Sequence, residues 1–141
     1  MSLAFKIRAY QARDKAGVVT LWEEVFPGEA ERNKPEDVIA RKLTVQPDLF
    51  FVALHDDRIV GTVIAGFDGV RGWIHKLAVH PDFRRQGLAS MLMQRAEDGL
   101  KEIGCPKVNL QVRAANAGVI AFYESLGFDV EDRASLGKAL D

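Results

Sequence analysis

Net charge of either sign is almost absent from this sequence. Across 141 residues, 19 lysines and arginines are balanced by 20 aspartates and glutamates, so the formal net charge is −1. Such a chain has no general electrostatic attraction for nucleic acid or for an acidic membrane surface. The basic, aromatic-bearing face that nucleic-acid-binding modules need is also missing from the sequence. We therefore expect neither a nucleic-acid partner nor a membrane partner.

Cysteine and long apolar runs are scarce as well. The single cysteine, Cys105, excludes an internal disulfide, and it lies between Gly104 and Pro106 with no neighbouring histidine or aspartate to activate the thiol. We interpret it as a structural residue. No apolar run is long enough to span a bilayer, and no charged-then-apolar leader precedes Phe5. These absences predict a cytoplasmic protein, and nothing in the sequence predicts a metal.

The apolar content is sufficient for one globular domain. Hydrophobic residues make up 48% and charged residues 28% of the chain, which are ordinary globular values and exclude disorder. A chain of this length buries roughly two-thirds of its unfolded surface. Because no repeat, low-complexity segment or linker interrupts the sequence, we predict a single domain over residues 1–141.

Alternating and helical apolar periods predict an α/β fold with the element order β-α-α-β-β-β-α-β-α-β-β. The strand after the third helix should lie parallel to the strand before it, because a helix connects the two. The sheet is therefore mixed. The predicted strands lie near Phe5–Ala9, Leu49–Leu54, Arg58–Phe67, Gly72–Val79, Val108–Val112, Phe128–Val130 and Ser135–Lys138, and the predicted helices near Asp14–Phe26, Asn33–Leu43, Leu88–Ile103 and Asn116–Leu126.

The most informative stretch joins the fourth predicted strand to the third helix. It runs from Leu77 through a proline-containing turn and two arginines to Gly87, where an amphipathic helix opens. The first N–H groups of a helix have no intrahelical partner and carry partial positive charge, so a glycine at this point lets a phosphate approach them. The arginines, Arg84 and Arg85, add full charges. Neither a Walker A sequence nor a three-glycine dinucleotide fingerprint is present.

This loop resembles the phosphate-binding signature of the GCN5-related N-acetyltransferases, the GNAT family. Residues Arg84–Ala89 match the pattern Arg/Gln-x-x-Gly-x-Gly/Ala, and Leu77–Pro81 resembles the family's fourth strand and its exit. Asn116–Phe128 resembles the family's second cofactor segment, with Val119 in place of an alanine. The resemblance implies a small bacterial-type member with the mixed sheet flanked by helices that is typical of the family, and acetyl-CoA as co-substrate. The residues that it assigns to cofactor binding are Leu77, Ala78, Val79, Arg84, Arg85, Gln86, Gly87, Leu88, Ala89, Asn116 and Tyr123.

Acetyl transfer from a thioester to an amine needs a deprotonated amine, stabilisation of the developing oxyanion and an acid for the leaving thiolate. The resemblance implies that a backbone N–H in Leu77–Val79, with Val79 as first choice, stabilises the oxyanion. It implies that Tyr123 is the acid that protonates the leaving thiolate. It also implies that Asn116 bonds the pantetheine or phosphate arm. Asn116 and Tyr123 are seven residues apart, about two helical turns. Asn is equally a preferred helix N-cap, and one side chain can serve both roles.

The general base is not settled by resemblance. Leu110–Asn116 is similar to a stretch of the ribosomal-protein alanine acetyltransferases in which a glutamate stands at the position of Gln111, and an amide cannot accept the proton. Trp73–Val79 resembles the strand of arylalkylamine acetyltransferases that carries catalytic histidines, one of which falls on His75. Strand alternation predicts that His75 shares a face with Leu77 and Val79. The alternative is a solvated strand histidine. His55 and His80 are given no chemistry.

The sequence thus predicts an acetyl-CoA-dependent N-acetyltransferase that acetylates a primary amine of a small molecule or a peptide by direct attack. A non-catalytic acyl-CoA-binding or sensing domain is the alternative, which Gln111 favours and Tyr123 disfavours. In the family, the segment between the first two helices forms a wall of the acceptor pocket. Trp22 and Phe26 could line it, although plain core packing is the favoured interpretation. The acceptor's identity and a homodimer are left open.

Overall fold

The computed structural model describes residues 4–140, and residues 1–3 and 141 lie outside the described part. One sheet has its strands in chain order: β1 Lys6–Ala9, β2 Phe50–His55, β3 Arg58–Phe67, β4 Gly72–Val79 and β5 Val108–Asn109. The first four strands are antiparallel, and β5 pairs with β4 in parallel. The helices are α1 Lys15–Val25, α2 Pro35–Lys42, α3 Leu88–Glu102 and α4 Ala117–Ser125. The predicted α/β fold with a mixed sheet is confirmed.

The chain divides into two compact units. One runs to Leu110 and holds the sheet with α1, α2 and α3, and the other begins at Gln111 and holds α4. The single domain over residues 1–141 stays a prediction. Among residues 4–140 the helices are too short or too polar to span a membrane.

The core of the first unit lies on both faces of the sheet. On one face, α1 packs Val18, Leu21 and Trp22 against β2, and all three side chains are buried. On the other face, α3 approaches β3 closely at Gly61, where an added Cβ would lie 3.0 Å from Leu92 Cδ1. Each of these two helices therefore buries one apolar face against the sheet.

The last two predicted strands are wrong. Phe128–Val130 and Ser135–Lys138 form no strand, and the fifth predicted strand is reduced to Val108–Asn109. Each of the two C-terminal segments has little apolar surface to bury, and Val130 and Leu136 remain 74% and 90% exposed. A short alternating pattern does not make a strand where no sheet face covers it.

A β-bulge interrupts β4 at Lys76. Thr62 pairs with Ala78, but Ile64 pairs with His75, so β4 has one residue more than β3 in this interval. Lys76 takes a positive φ of 53°, and its carbonyl accepts a hydrogen bond of 2.8 Å from Thr62 Oγ1. Trp22 Nε1 donates to the same hydroxyl at 2.9 Å. The irregular backbone is thereby held by a buried side-chain network.

The bulge overturns the predicted face of His75. Cross-strand partners point to the same side of a sheet, so His75 lies with Ile64 and Ala78 on the face covered by α1 and α2. Val79, the neighbour of Ala78, points to the opposite face. Because one extra residue reverses the alternation, the period of two that was read from the sequence does not hold across Lys76.

Candidate active site

The carboxyl end of β4 presents a free edge of backbone. Pairing with β5 covers only Gly72 and Trp73. His80 N–H donates to Val60 O at 2.8 Å, so the preceding N–H, that of Val79, points away from β3. The side chain of Ala78 is 1% exposed and belongs to the core. In Leu77–Val79 a ligand can therefore be met by backbone N–H groups, as the predicted oxyanion role requires.

An open anion cradle follows this edge at the start of α3. Gly87 is the N-cap residue in a left-handed conformation, with a φ of 79°. A Cβ built on Gly87 would find no atom within 4 Å, so the space in front of it is free. The first α3 amide bonded within the helix is that of Met91, which donates to Gly87 O at 3.1 Å, and the amides before it are available to an anion.

The predicted cofactor residues of this loop contribute in different ways. Arg84, Arg85 and Gln86 are exposed, and the guanidinium of Arg84 donates through Nε to Val79 O at 3.3 Å, which ties the loop to the strand end. Leu88 is 1% exposed, so its side chain packs in the core and only its backbone could face a ligand. Ala89 is half-buried. The loop thus offers exposed positive side chains and, at the start of α3, backbone amides without an intrahelical partner.

His80, which the sequence left without a role, positions this loop. Its Nδ1 accepts a hydrogen bond of 3.1 Å from the N–H of Asp82 and so caps the 3-10 turn Pro81–Phe83. Its Nε2 lies 3.0 Å from Arg58 Nη2 and 3.4 Å from Glu24 Oε2, and the residue is 9% exposed. A histidine directly before a proline that opens a turn was the available signal, because it matches a capping position.

His75 lies on the α1 and α2 face of β4 and is exposed to solvent. Partial desolvation of the ring by the surrounding protein, reinforced by the positive charges of Lys42 and Lys76, lowers the pKa of His75 below its ordinary value. The imidazole is therefore neutral at neutral pH and able to accept a proton.

Lys42 is a buried cation that sequence reasoning missed. Its Nζ donates to Ala65 O at 2.6 Å, and burial lowers the pKa of Lys42 to about 8. The ammonium lies close to the β3 backbone, since a Cβ added at Gly66 would lie 3.6 Å from Nζ, an ordinary van der Waals distance. A lysine in the last turn of a helix gives no sequence signal of burial, because such residues normally extend into solvent.

The second unit carries Gln111, Asn116 and Tyr123. Asn116 is the N-cap residue of α4, and its Oδ1 accepts from Val119 N–H at 3.2 Å, which confirms the capping role. Tyr123 makes edge contacts with the rings of Phe122 and Phe128, at centroid distances of 5.1 and 5.6 Å. Burial raises the pKa of Tyr123, so its hydroxyl is protonated at neutral pH. Gln111 Nε2 donates to Ser135 Oγ at 2.5 Å.

A cavity of about 320 Å³ opens beside the bulge of β4. It is lined by the end of α1, the segment that leads to α2, and Lys76. Trp22 reaches its wall but is only 1% exposed, in agreement with the favoured core interpretation, whereas Phe26 is half-buried. Within residues 4–140, no group of three or more histidine, cysteine or acidic side chains is placed to hold a metal ion.

Residues 16–128 match the family model described as the acetyltransferase (GNAT) family. The chain belongs to the GNAT family. It is 45% identical over 138 residues to an acetyltransferase of Pectobacterium atrosepticum, and the match covers 96% of this chain and 95% of that protein. The protein is therefore an acetyltransferase.

Solved structures agree with this assignment. The ribosomal-protein alanine N-acetyltransferase of Escherichia coli is 26% identical with a TM-score of 0.75, over 89% of this chain and 78% of that chain. The PaiA N-acetyltransferase of Thermoplasma acidophilum, solved in complex with coenzyme A, has a TM-score of 0.80 at 20% identity and covers 94% of each chain. At that identity the likeness shows the fold of this GNAT protein.

Proposed function

We propose that the protein is an acetyl-CoA-dependent N-acetyltransferase that acetylates a primary amine by direct attack. The observation that carries the proposal is the anion cradle at Gly87, where free helix N-terminal amides border open space and the exposed Arg84 and Arg85 precede it in the same loop. A pyrophosphate fits this chemistry, because it can accept several hydrogen bonds and is attracted by the charges. Acetyl-CoA would be held there by its pyrophosphate, and when bound it supplies an activated acetyl thioester.

Three groups of the chain divide the remaining work. Val79 N–H, directed away from β3, stabilises the negative charge that develops on the carbonyl oxygen of the acetyl thioester. His75, neutral because of its lowered pKa, takes a proton from the amine nitrogen on the α1 and α2 face. Tyr123, protonated because of its raised pKa, donates its O–H proton to the leaving sulfur. The C–N bond forms as the C–S bond breaks, with no covalent attachment to the protein.

The amine acceptor is a small molecule or a peptide, and neither nucleic acid nor a membrane is needed for this chemistry. The alternative is a domain that binds acyl-CoA without turnover. Gln111 favours that alternative, since its amide is held by Ser135 and cannot accept a proton.

Release of free thiol from acetyl-CoA tests the proposal. The purified protein is assayed against polyamines, amino acids, aminoglycosides and N-terminal peptides, and acetylated product is identified by mass spectrometry. We expect amine-dependent thiol release above the rate of background hydrolysis. Tight acetyl-CoA binding with no release for any amine would establish the sensing alternative instead.

A further inference from the structure

An ammonium group of the protein itself, that of the Lys76 side chain, lines the cavity beside the β4 bulge. Lys76 Nζ lies 2.9 Å from Glu29 Oε1 and 4.6 Å from the ring centroid of Phe26, with Trp22 at 5.6 Å. A carboxylate combined with aromatic faces is a surrounding that stabilises alkylammonium groups. The wall of the cavity is therefore built to hold an alkylammonium ion.

Two carboxylates and two ammonium groups line this cavity, and within residues 4–140 Glu23 is the member of the four that is left without an ion pair. Of the two ammonium groups that line it, Lys76 is paired with Glu29, and Lys34 is paired with Glu31 at 3.4 Å. Glu23 also lines the cavity and forms no ion pair with any residue of the part of the chain that the structure describes. A cation can pair with Glu23, whereas an acceptor with a carboxylate near the same place is repelled by it.

The position of the cavity along β4 constrains the spacing of charges in an acceptor. Lys76 is three residues from Val79, whose N–H is the proposed oxyanion donor, so the separation is at most roughly 10 Å along an extended strand. His75 is the direct neighbour of Lys76 and faces the same helices. A molecule could thus present one amine to His75 while a second, positively charged group lies against Glu29 and Phe26.

We propose that the acceptor carries at least two amino groups, as an alkyl diamine or a polyamine does. This rests on the proposed acetyltransferase function and names its substrate class. The non-reacting ammonium of the acceptor displaces that of Lys76, whose long stem can swing into solvent, and lies between Glu29, Glu23 and the ring of Phe26.

Three acceptors with the same four-carbon chain separate this from other classes: putrescine carries an ammonium on the fourth carbon, butylamine ends there in a methyl group, and in γ-aminobutyrate that carbon is a carboxylate. At constant low ionic strength we expect kcat/KM with acetyl-CoA to fall in that order, with roughly 10-fold or more between putrescine and butylamine. Equal values for putrescine and butylamine, or a preference for γ-aminobutyrate, would overturn the proposal. The latter result would make Lys76 an anchor for anions.

Two variants move the preference in opposite directions. Glu29→Gln removes the carboxylate that pairs with the ammonium, so KM for putrescine should rise about 10-fold while butylamine is unaffected. Lys76→Met keeps an apolar stem on the rings but removes the competing charge, so KM for putrescine should fall. Glu102→Gln is the matched control, because Glu102 is exposed and lies at the end of α3, outside the cavity lining. A rise of KM for putrescine in Lys76→Met would contradict the proposal.

Failure of the proposed acetyltransferase function gives a different result from failure of the diamine proposal. In that case no amine of any class releases thiol from acetyl-CoA, and the cavity is tested by binding alone. A rise in Tm with putrescine that is absent with butylamine, abolished by Glu29→Gln and retained in Glu102→Gln supports the ammonium site without turnover. No rise in Tm with putrescine would overturn it.

Discussion

Tyr123 is a residue whose environment suits a proton donor. Its raised pKa keeps the hydroxyl protonated at neutral pH, and the rings of Phe122 and Phe128 fix its position. Tyr123→Phe keeps the ring contacts and removes the proton, so we expect kcat to fall by roughly 10²- to 10⁴-fold with acetyl-CoA affinity almost unchanged.

The chain supplies its own control for this substitution. Tyr10, the other tyrosine, stacks on Phe50 at 4.6 Å in the first unit. Tyr10→Phe should leave the rate unchanged. Full activity in Tyr123→Phe would show that water protonates the sulfur.

The lowered pKa of His75 predicts how kcat/KM depends on pH. A base acts in its neutral form, so kcat/KM should rise with pH through an apparent pKa below the ordinary value near ~6.5, because partial desolvation and two cations lower the pKa of His75. His75→Gln should lose about 10²-fold in rate together with this limb of the profile. Lys42→Met removes one of the cations and should shift the limb to higher pH. One amine must serve in every profile, because ionisation of the substrate can produce a similar limb.

An unchanged rate and profile in His75→Gln would remove His75 from the mechanism. A bound water, or an amine that arrives already deprotonated, would then be the remaining route.

At the scale of elements, the capped turn before α3 determines how the anion cradle is presented. His80→Ala removes the acceptor for Asp82 N–H, and loss of a cap typically costs about 1 kcal/mol, so the Kd for acetyl-CoA should rise about 5-fold with little change in kcat. His80→Asn restores an acceptor at the capping position and should restore affinity. Isothermal titration with acetyl-CoA measures both. If His80→Asn binds as weakly as His80→Ala, the contact with Arg58 and not the cap holds the loop.

The start of α1 depends on an ion pair. Asp14 is 5% exposed and accepts from Arg8 at 2.7 and 3.0 Å and from Gln11 N–H at 2.8 Å. Its carboxylate therefore caps the preceding turn and makes no side-chain capping bond to α1. Burial alone would raise the pKa of Asp14, but these hydrogen bonds outweigh it and lower the pKa. The stabilisation is therefore present above the unfolded pKa of ~3.9 and lost as pH falls through the lower folded pKa.

Urea unfolding at two pH values measures this contribution. Asp14→Asn should reduce the free energy of unfolding by about 1–3 kcal/mol at pH ~7, and the difference from wild type should shrink below pH ~3. Asp48→Asn, at an exposed position, should have no comparable effect. A difference that is independent of pH would assign the loss to packing and not to the charge.

At the scale of the whole molecule, cofactor binding should stabilise the folded state. With acetyl-CoA at about 100 times its Kd, linkage predicts a rise in Tm of roughly 5–10 °C. Gly87→Glu places a carboxylate in the anion cradle and should abolish this rise. Gly69→Glu is the control, because Gly69 also has a positive φ, 97°, with open space around it, but lies in the β3–β4 turn. Equal shifts in both variants would exclude the loop as the phosphate site.

The sequence by itself determined the structural features that depend on residues close to one another in the chain. The strand-to-helix junction at Gly87, the cap at Asn116 and the apolar faces of α1 and α3 were all readable, because caps, turns and helical periods involve residues within a few positions of one another. The same local patterns were sufficient to identify the GNAT family. They failed at the C-terminal segments, where a strand pattern exists but no sheet partner covers it.

Only the tertiary structure decided the features that depend on register between distant strands. The extra residue at Lys76 is recognised only from the pairing of β4 with β3. It turns His75 to the face opposite Val79. At the same bulge, the Lys76 ammonium lies against Phe26 and Glu29. Burial of Lys42 likewise depends on another element, because its Nζ donates to Ala65 O in β3. Side-chain direction and pKa follow from such non-local contacts, which no periodicity in a single sequence encodes.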